Sequence, residues 1–565
     1  MKNIFATVTL LYLFILPSTL SAQWSNDASV NTLVCSGNHN RNMKQIISDG
    51  SGGIFCCWYE EENDTTNTVN VQHINNQGVV QWTDGGVIVY SGPSLVEAPN
   101  MAAVGDGGVI VAWKNDDSSN AFAQRLNAAG TPQWKAQGIN ISNDYLGLDD
   151  YDPHMISDGT GGAFIEWDGA FSVGIIRLDS SGTVAWNTSA TLYEGGIDSR
   201  IVSDGAGGVI VVWSEARNSG NGDYGDLFAQ RVDGTGKTQW IKGGVTVCNA
   251  TNMQSYPHIV PDGSGGAVIV WQDFRDGANY KPYGQRLDAN GNRLWITGTD
   301  SNGVSICSEV DAMGDVFVTP DGSGGGIFAW DDSRTNDDDI YAQRINAAGK
   351  VQWDTNSVPV CIQSAPQADP RICSDGAGGA IIVWDDNRNS GANQDIYAQR
   401  IDGAGAVQWA TNGVPVSSAS GNQNLPLLIS NPSGGAIVIW DDYRNPGSGY
   451  TNRDFYIQTL NTQGTLTNVR SAESQSPNMF QLSQNYPNPF NPTTTLRFTL
   501  KVSGFTTLKV YDAIGREVAT LVNEDLEAGK YYEKTFNASN LSSGIYFARL
   551  SSEGESQVKK LMLIK

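Results

Sequence analysis

Histidine, basic charge, long hydrophobic runs and a paired set of cysteines are what this sequence has least of, and each shortage removes a class of function. The four histidines, His39, His73, His154 and His258, stand at no metal-ligand spacing, which argues against a histidine-built metal centre. His154 and His258 share one repeat position, in Pro-His-Met and Pro-His-Ile, where other repeats carry Pro-Arg or Pro-Leu; a strand position tolerant of bulk accounts for both. Lys and Arg number 35 against 59 Asp and Glu, a formal charge of −24. Such an anion repels phosphate backbones and anionic headgroups, so neither nucleic acid nor the membrane surface is expected as a partner.

The apolar run Ile4 to Leu16 is thirteen residues long, too short to span a bilayer, and no later stretch is long enough either. With Lys2 before it and Pro17 and small residues to Ala22 after it, it reads as a secretory signal over 1–22, cleaved after Ala22. No Cys follows to make a lipoprotein.

Seven cysteines are an odd number for a disulfide framework. Cys35, Cys248, Cys307 and Cys361 occupy one repeat position, in LVCSG, TVCNA, SICSE and PVCIQ, where other repeats place Tyr90 or Ser417. Equivalent positions on different repeats lie too far apart to bridge, so small buried thiols are expected. Cys361 with Cys373, or one of the vicinal pair Cys56 and Cys57, remains the disulfide alternative.

What the sequence has in abundance is repetition. A Gly-rich turn and an apolar run ending in Trp recur eight times, at Trp58, Trp113, Trp167, Trp213, Trp271, Trp330, Trp384 and Trp440, spaced 46 to 59 residues apart. DGAGGAIIVW, ending at Trp384, is representative. A second Trp follows in each unit, at Trp82, Trp134, Trp186, Trp240, Trp295, Trp353 and Trp409, and Trp24 completes this set. All sixteen tryptophans are thereby assigned to the repeat. Within one unit we read four strands: Pro370–Ile372, Ala380–Trp384, Ile396–Ile401 and Val407–Trp409. The turn Asp-Gly-x-Gly-Gly supplies the positive φ of a tight hairpin, and the unbroken apolar run of the second strand demands burial on both faces. Four short antiparallel strands at this period specify an all-β fold, an eight-bladed β-propeller with four-stranded blades over 23–466. A parallel β-helix is the alternative, and its coils are shorter and lack paired hairpin turns.

A ring must join its first and last blades or leave open strand edges. The last repeat runs Phe455 to Leu460 and then NTQGTLTN, without the Gln-Trp pair found elsewhere. Gln23-Trp24 is that missing piece, because QWSNDASVNTLVC aligns with QWDTNSVPVC at 352–361. The N-terminal segment is therefore expected to complete the Trp440 blade.

The loop between the second and third strands carries the one charge pattern that could be chemistry, as in WDDSRTNDDDIYAQR at 330–344. Arg217, Arg275, Arg334, Arg388 and Arg444 stand four after Trp, and Asp226, Asp339, Asp395 and Asp454 precede the third strand. Close Asp and Asn oxygens suit Ca²⁺; an Arg–Asp ion pair stapling each loop is the other reading. The built-in Arg opposes a cation and favours the ion pair, which leaves Asp337, Asp338 and Asp339 as the calcium candidates. No catalytic or cofactor-binding residue is otherwise assigned. The carboxylates are numerous enough for a glycosidase pair, yet none stands outside the repeat, and the Ser-Asp-Gly-x-Gly-Gly turn lacks the order Ser-x-Asp-x-Gly-x-Thr-Trp of sialidase-like propellers.

After Leu466 the repeat stops. A polar linker over 467–478 leads to YPNPFNPTT, LKVYDAIGREVATL at 508–521, FNASNLSSGIYFARL at 536–550 and a final KKLMLIK. Thr495 to Leu500 and Thr506 to Tyr511 alternate as strands of a β-sandwich, Ig-like in kind. These blocks, in order over 479–565, resemble the type A sorting domain of type IX (Por) secretion substrates. Phe536 is a departure, an aromatic where relatives often have Trp. The resemblance implies that Pro487, Asn488, Pro489, Asn491, Pro492, Gly515, Gly544, Tyr546, Lys559 and Lys560 carry a sorting signal. It also implies partners in the type IX translocon and sorting machinery, and delivery through the periplasm and outer membrane to the surface or the medium. For the propeller two readings stand: a binding or adhesion module for a glycan or protein ligand, and a carbohydrate-active hydrolase. The loops after Trp58, Trp113 and Trp167 (YEEEND, KNDDSSN, DGAFSV) diverge from the others and point to the side on which a ligand would sit.

Overall fold

The computed structural model describes residues 24–36, 40–63, 66–115, 120–142, 153–169, 172–187, 192, 196–216, 225–310, 313–335, 337–389, 393–445, 453–467, 480–482, 485, 488, 490–528 and 531–564. The expected signal segment 1–22 and, beyond 467, the expected linker lie outside them. Every regular element among the described residues is a β-strand.

The Trp384 repeat shows how the local sequence makes a sheet. Its strands are Gln367–Ser374, Ala380–Asp386, Asp395–Ile401 and Val414–Ser417, antiparallel and adjacent in that order. Between the first two, Asp375 Oδ1 accepts the N–H groups of Ala377 and Gly379, each at 2.8 Å. Gly376 and Gly378 hold φ at 73° and 87° there, backbone that a Cβ would strain. The second strand is buried at every residue, as an unbroken apolar run requires.

The fourth strand differs from the sequence reading. Val407 makes a single bridge, to Ile401, and the strand forms beyond the next turn, at Val414–Ser417. The reason is a side chain that takes the place of a ladder partner. Gln399 accepts the Trp409 N–H at 2.9 Å and donates to Ala410 O at 2.7 Å, which turns Trp409 out of the sheet.

Eight such four-stranded sheets succeed one another among the described residues up to 467. Seven use consecutive strands. The Trp440 sheet takes Thr32–Cys35 as its outer strand, antiparallel to Asp454–Leu460 with Leu33 opposite Tyr456. The first strands of neighbouring sheets touch in series, and Gln423–Ser430 of the Trp440 sheet touches Asn40–Ser48 of the Trp58 sheet. The succession thus returns to its start, the arrangement of a β-propeller. The first-set tryptophans are buried between sheets, Trp167 at 4 % exposure and the other seven at 0 %. All seven cysteines are free and buried, and burial pushes the Cys361 thiol up to about 12.

The described residues between 480 and 564 form two further antiparallel sheets. One comprises Gln481–Leu482, Thr493–Thr499 and Tyr531–Asn537; the other comprises Glu517–Leu526, Gly504–Asp512, Gly544–Ser552 and Glu555–Leu563. They share one core containing Leu496, Phe498, Leu508, Phe536 and Leu561.

Candidate functional site

Most of the repeated charge is consumed by structure. Trp384 Nε1 donates to Asp386 Oδ2 at 2.8 Å, and Arg388 closes on the same carboxylate with bonds of 2.8 and 2.6 Å. The guanidinium lies 3.8 Å from the centroid of the Tyr397 ring and donates to Asn412 O at 2.7 Å. Asp386 is fully buried, so this bidentate pair satisfies a charge that could not otherwise remain there. The unit recurs at Asp273–Arg275, Asp332–Arg334 and Asp442–Arg444. The expected ion pair is present, but with a different partner. Arg takes the Asp two residues before it, because the turn sets those side chains together. Asp395 and Asp454 bond instead to Asn389 and Asn445 at 2.7 Å. Arg217 lies outside the described residues.

Asp337, Asp338 and Asp339 do not share a centre. Asp339 accepts the Thr335 hydroxyl and the Gln363 N–H, and Asp338 O accepts the Gln367 N–H at 2.7 Å. Among the described residues no three His, Cys, Asp or Glu side chains gather closely enough to hold a metal ion.

Charge left over from the staples collects at one mouth of the central channel, where second strands end and first strands begin. Ala98, Asp198, Tyr256, Asp369 and Leu425 occupy one repeat position there, with φ between 50° and 53°. Each interrupts the pairing of its first strand with the second. Left-handed backbone costs a residue with a Cβ about 1–3 kcal/mol, and such strain concentrates at functional sites. Two residues further on, side chains face inward. Lys44, His258, Phe317, Arg371 and Leu427 line a channel cavity of about 200 Å³. The Arg371 guanidinium lies 4.2 Å from the Phe317 ring centroid, and the His258 ring 4.5 Å from it. Burial, then Arg200 and Arg371, push His258 down to about 3, so it is a neutral wall group.

Four carboxyl groups, those of Asp369, Asp315, Asp385 and Asp331, act on Arg371. Burial, then Asp338 and Asp369, push Asp331 up to about 7. Burial, then Asp369, hold Asp385 well above the usual carboxylate range. Burial raises Asp315 and Asp198 as well. Asp315 Oδ1 accepts from Gln272 Nε2 at 2.8 Å, and Asp441 pairs with Arg453 at 3.1 Å. Asp385 has only half of what it needs. Its Oδ2 accepts the Leu425 N–H at 3.3 Å, while its buried Oδ1 has no partner among the described residues.

In sequence the Arg four after Trp and the Asp before the third strand stood out, and the two residues that follow Trp were not separated. Two positions after Trp the residue is acidic in most repeats, as the staple requires. One position after Trp it runs Tyr59, Lys114, Asp168, Ser214, Gln272, Asp331, Asp385, Asp441, and that variation was the available signal. The second strands that lead into the divergent loops after Trp58, Trp113 and Trp167 end at this same mouth, and the loops themselves lie partly outside the described residues.

In the tail, the opening and closing blocks come together. Asn488 Oδ1 accepts the Met562 N–H at 2.8 Å and Nδ2 donates to Lys560 O at 3.3 Å. Phe490 and Leu563 form a parallel bridge, and Ala538 N–H donates to Pro492 O at 2.8 Å. Gly515 turns at φ 82°, and Gly544 opens the strand on which the Tyr546 hydroxyl donates to Ser542 O at 2.7 Å. Lys559 and Lys560 lie on the last strand and Asn491 is exposed; Pro487 and Pro489 lie outside the described residues. Residues 484–565 match the family described as secretion system C-terminal sorting domain. The tail is a sorting domain. Such a domain marks proteins that type IX secretion delivers to the cell surface or releases, so this protein is an export substrate of that machinery. Among the described residues no helix is long and apolar enough to cross a membrane.

No curated protein matches the chain. Among solved structures it is similar to the β-propeller domain of the Trilobed protease from Pyrococcus furiosus, at 10% identity and TM-score 0.37, over 67% of this chain and 99% of that one. An ulvan lyase, a polysaccharide lyase, gives 10% identity and TM-score 0.35 over 79% and 97%. The SapL1 lectin in complex with α-methyl fucoside gives 14% identity and TM-score 0.30 over 56% and 96%.

Proposed function

We propose that the exported protein is an eight-bladed β-propeller that binds a surface or matrix ligand at its channel mouth. In this reading 1–22 is a signal peptide, 23–466 the propeller, 467–478 a linker and 479–565 an Ig-like sorting domain. The observation that carries the binding role is Asp385, buried at the mouth with one oxygen unbonded among the described residues and Asp369 and Arg371 near it. An unsatisfied buried polar atom costs about 1–3 kcal/mol, and a ligand that completes it recovers that loss. Strained backbone at five equivalent positions round the same opening supports the same location.

A second reading, a carbohydrate-active hydrolase, is favoured by Asp331. A carboxyl that titrates near 7 beside Asp369 has the property required of a general acid. The two readings separate in one experiment. The mature protein is presented to arrays of glycans and matrix proteins, with and without calcium, and the bound and free glycans are analysed for cleavage. Saturable binding that Asp385→Ala abolishes, with no product, is expected. Product formed from any glycan replaces binding with hydrolysis, and absence of binding throughout removes the proposal.

A further inference from the structure

We infer that the central channel holds a compact monocarboxylate, its carboxylate between Arg371 and Lys44 and its carbon body against Leu427 and Leu428. The inference goes beyond the mouth reading and rests on other observations, so either can fail without the other.

Cations without partners are the first observation. Among the described residues every arginine of the propeller is ion-paired with a carboxylate except Arg200, Arg293 and Arg371. Arg293 donates to Asn302 Oδ1 at 3.4 Å. Arg200 and Arg371 donate to the carbonyl of the residue before them, Ser199 O at 2.7 Å and Pro370 O at 3.0 Å. The Arg371 guanidinium is stacked 4.2 Å from the Phe317 ring centroid, so its other N–H donors have a set direction, and among the described residues they have no acceptor. Lys44 lies 5.5 Å from the Tyr59 ring centroid and likewise makes no ion pair among those residues.

The fold gathers these groups at one level of the channel. Gln45, Arg200, His258, Phe317, Arg371 and Leu427 each stand opposite the residue that precedes a first-set Trp. Their position differs from sheet to sheet while the Gly-rich turn after it is repeated, so the architecture does not dictate it. All of them but Arg200, together with Lys44, line the cavity of about 200 Å³, and no carboxylate lines it. Its wall therefore carries the two positive charges of Lys44 and Arg371 beside a neutral His258, and Arg200 adds a third cation that acts on His258 and Asp315. The four carboxyls that act on Arg371 stand outside the wall. Asp315 and Asp369 are exposed to water, which screens them, and burial moves Asp331 and Asp385 toward their neutral forms.

The kind of ligand follows from the donors and the size. Arg371 and Lys44 can only donate, and Gln45 uses its side-chain oxygen on the Met101 N–H at 2.5 Å, which leaves its amide nitrogen to donate. A wall of donors calls for an acceptor, and a carboxylate meets the edge of a guanidinium with two parallel bonds. Ile46, Leu427 and Leu428 share the wall; they would strand the outer oxygens of a phosphate and suit a carbon body. Sites for drug-sized ligands run to about 300–1,000 Å³, so this cavity takes a smaller molecule.

The test is calorimetric titration of the full-length mature protein with four probes: hexanoate, glucuronate, glucose and inorganic phosphate. We expect one of the two carboxylates to bind at least tenfold more tightly than glucose or phosphate, and which one does so separates an aliphatic acid from a sugar acid. Arg371→Leu should weaken that binding tenfold or more, and the sheet accepts the residue, since Leu427 holds the same position in the Trp440 sheet. Lys44→Gln, at a side chain with no ion pair to lose, should weaken it at least threefold. Circular dichroism and thermal midpoints establish that each variant is folded. Equal or tighter binding of glucose or phosphate, undiminished binding by either folded variant, or failure of both carboxylates overturns the inference. The mouth reading turns on Asp385 and is decided separately by the arrays.

Discussion

Trp24 donates its indole N–H to Asn76 O at 3.0 Å, and that bond ties the last sheet to the first. Seven other pairs repeat the relationship, from Trp82 to Ala128 O at 3.1 Å through Trp409 to Thr462 O at 3.0 Å. At six junctions an Arg on the third strand donates to the same carbonyl, as Arg344 and Trp353 do at Gly403 O. The Trp58 sheet has His73 in that Arg position and the Trp440 sheet has Thr459, so these two junctions depend more heavily on their tryptophans. Arg444 holds the N-terminal segment to the Trp440 sheet itself, donating to Val30 O at 2.8 Å as Arg388 donates to Asn412 O in its own repeat.

Trp24→Ala should therefore open the seam. Removing a buried Trp costs about 3–5 kcal/mol, and Trp24→Phe, which keeps most of the packing and loses the hydrogen bond, about 1 kcal/mol. Urea unfolding with fragments mapped after limited proteolysis reads both. An unchanged midpoint for Trp24→Ala would mean that the N-terminal segment does not close the ring in solution.

Arg388 gives a sharper contrast, because charge and shape separate. Arg388→Ala leaves Asp386 buried and unpaired, which costs about 3–5 kcal/mol. Arg388→Lys restores charge but neither the two-pronged contact nor the plane over Tyr397, and should recover less than half of the loss. Full recovery by Lys would reduce the staple to simple charge neutralisation.

The legible parts of this molecule are those where one local rule acts alone. The Gly-rich turns were readable because only residues such as Gly376 and Gly378 tolerate their φ, and the second strands because burial on both faces forbids polar residues. The N-terminal completion of the Trp440 sheet was readable from a missing Gln-Trp. The fourth strand was not, because Gln399 overrides the strand propensity of Val407–Trp409 with two side-chain bonds from a residue ten positions earlier. Nor was the partner of Arg388, since two Asp residues compete for it and turn geometry decides. The mouth was least legible of all. Its carboxyls come from different repeats, and their proximity exists only once the first strands have met.

Two groups at this mouth impose opposite pH dependence on stability. His258 sits at about 3 in the folded chain, against an ordinary 6.5, so the unfolded chain binds its proton first. Its contribution is complete above about 6.5 and is lost as pH falls toward 3. Asp331 titrates near 7, against an ordinary 3.8, so the folded chain holds the extra proton. Its contribution is complete below about 4 and is lost as pH rises through 7. Urea midpoints measured from pH 4 to 8 should show His258→Leu flattening the acid limb and Asp331→Asn the neutral limb. The reverse assignment would refute the placement of either group.

The sorting tail depends on contacts between its two ends, and Asn488 is the residue that makes them. Its side chain reaches Met562 N and Lys560 O on the last strand, two bonds worth about 1–2 kcal/mol together. Asn488→Ala should detach the opening block while the core of Leu496, Phe498 and Leu561 keeps the domain folded. If the translocon reads the two blocks as one surface, Asn488→Ala should leave a substantial part of the protein in the periplasm, and removal of 484–565 should leave all of it there. Cell fractionation with immunodetection of the propeller measures both. Normal surface delivery of Asn488→Ala, with the truncated chain still retained, would show that the blocks are read separately. Normal delivery of the truncated chain would show that this tail does not sort the protein.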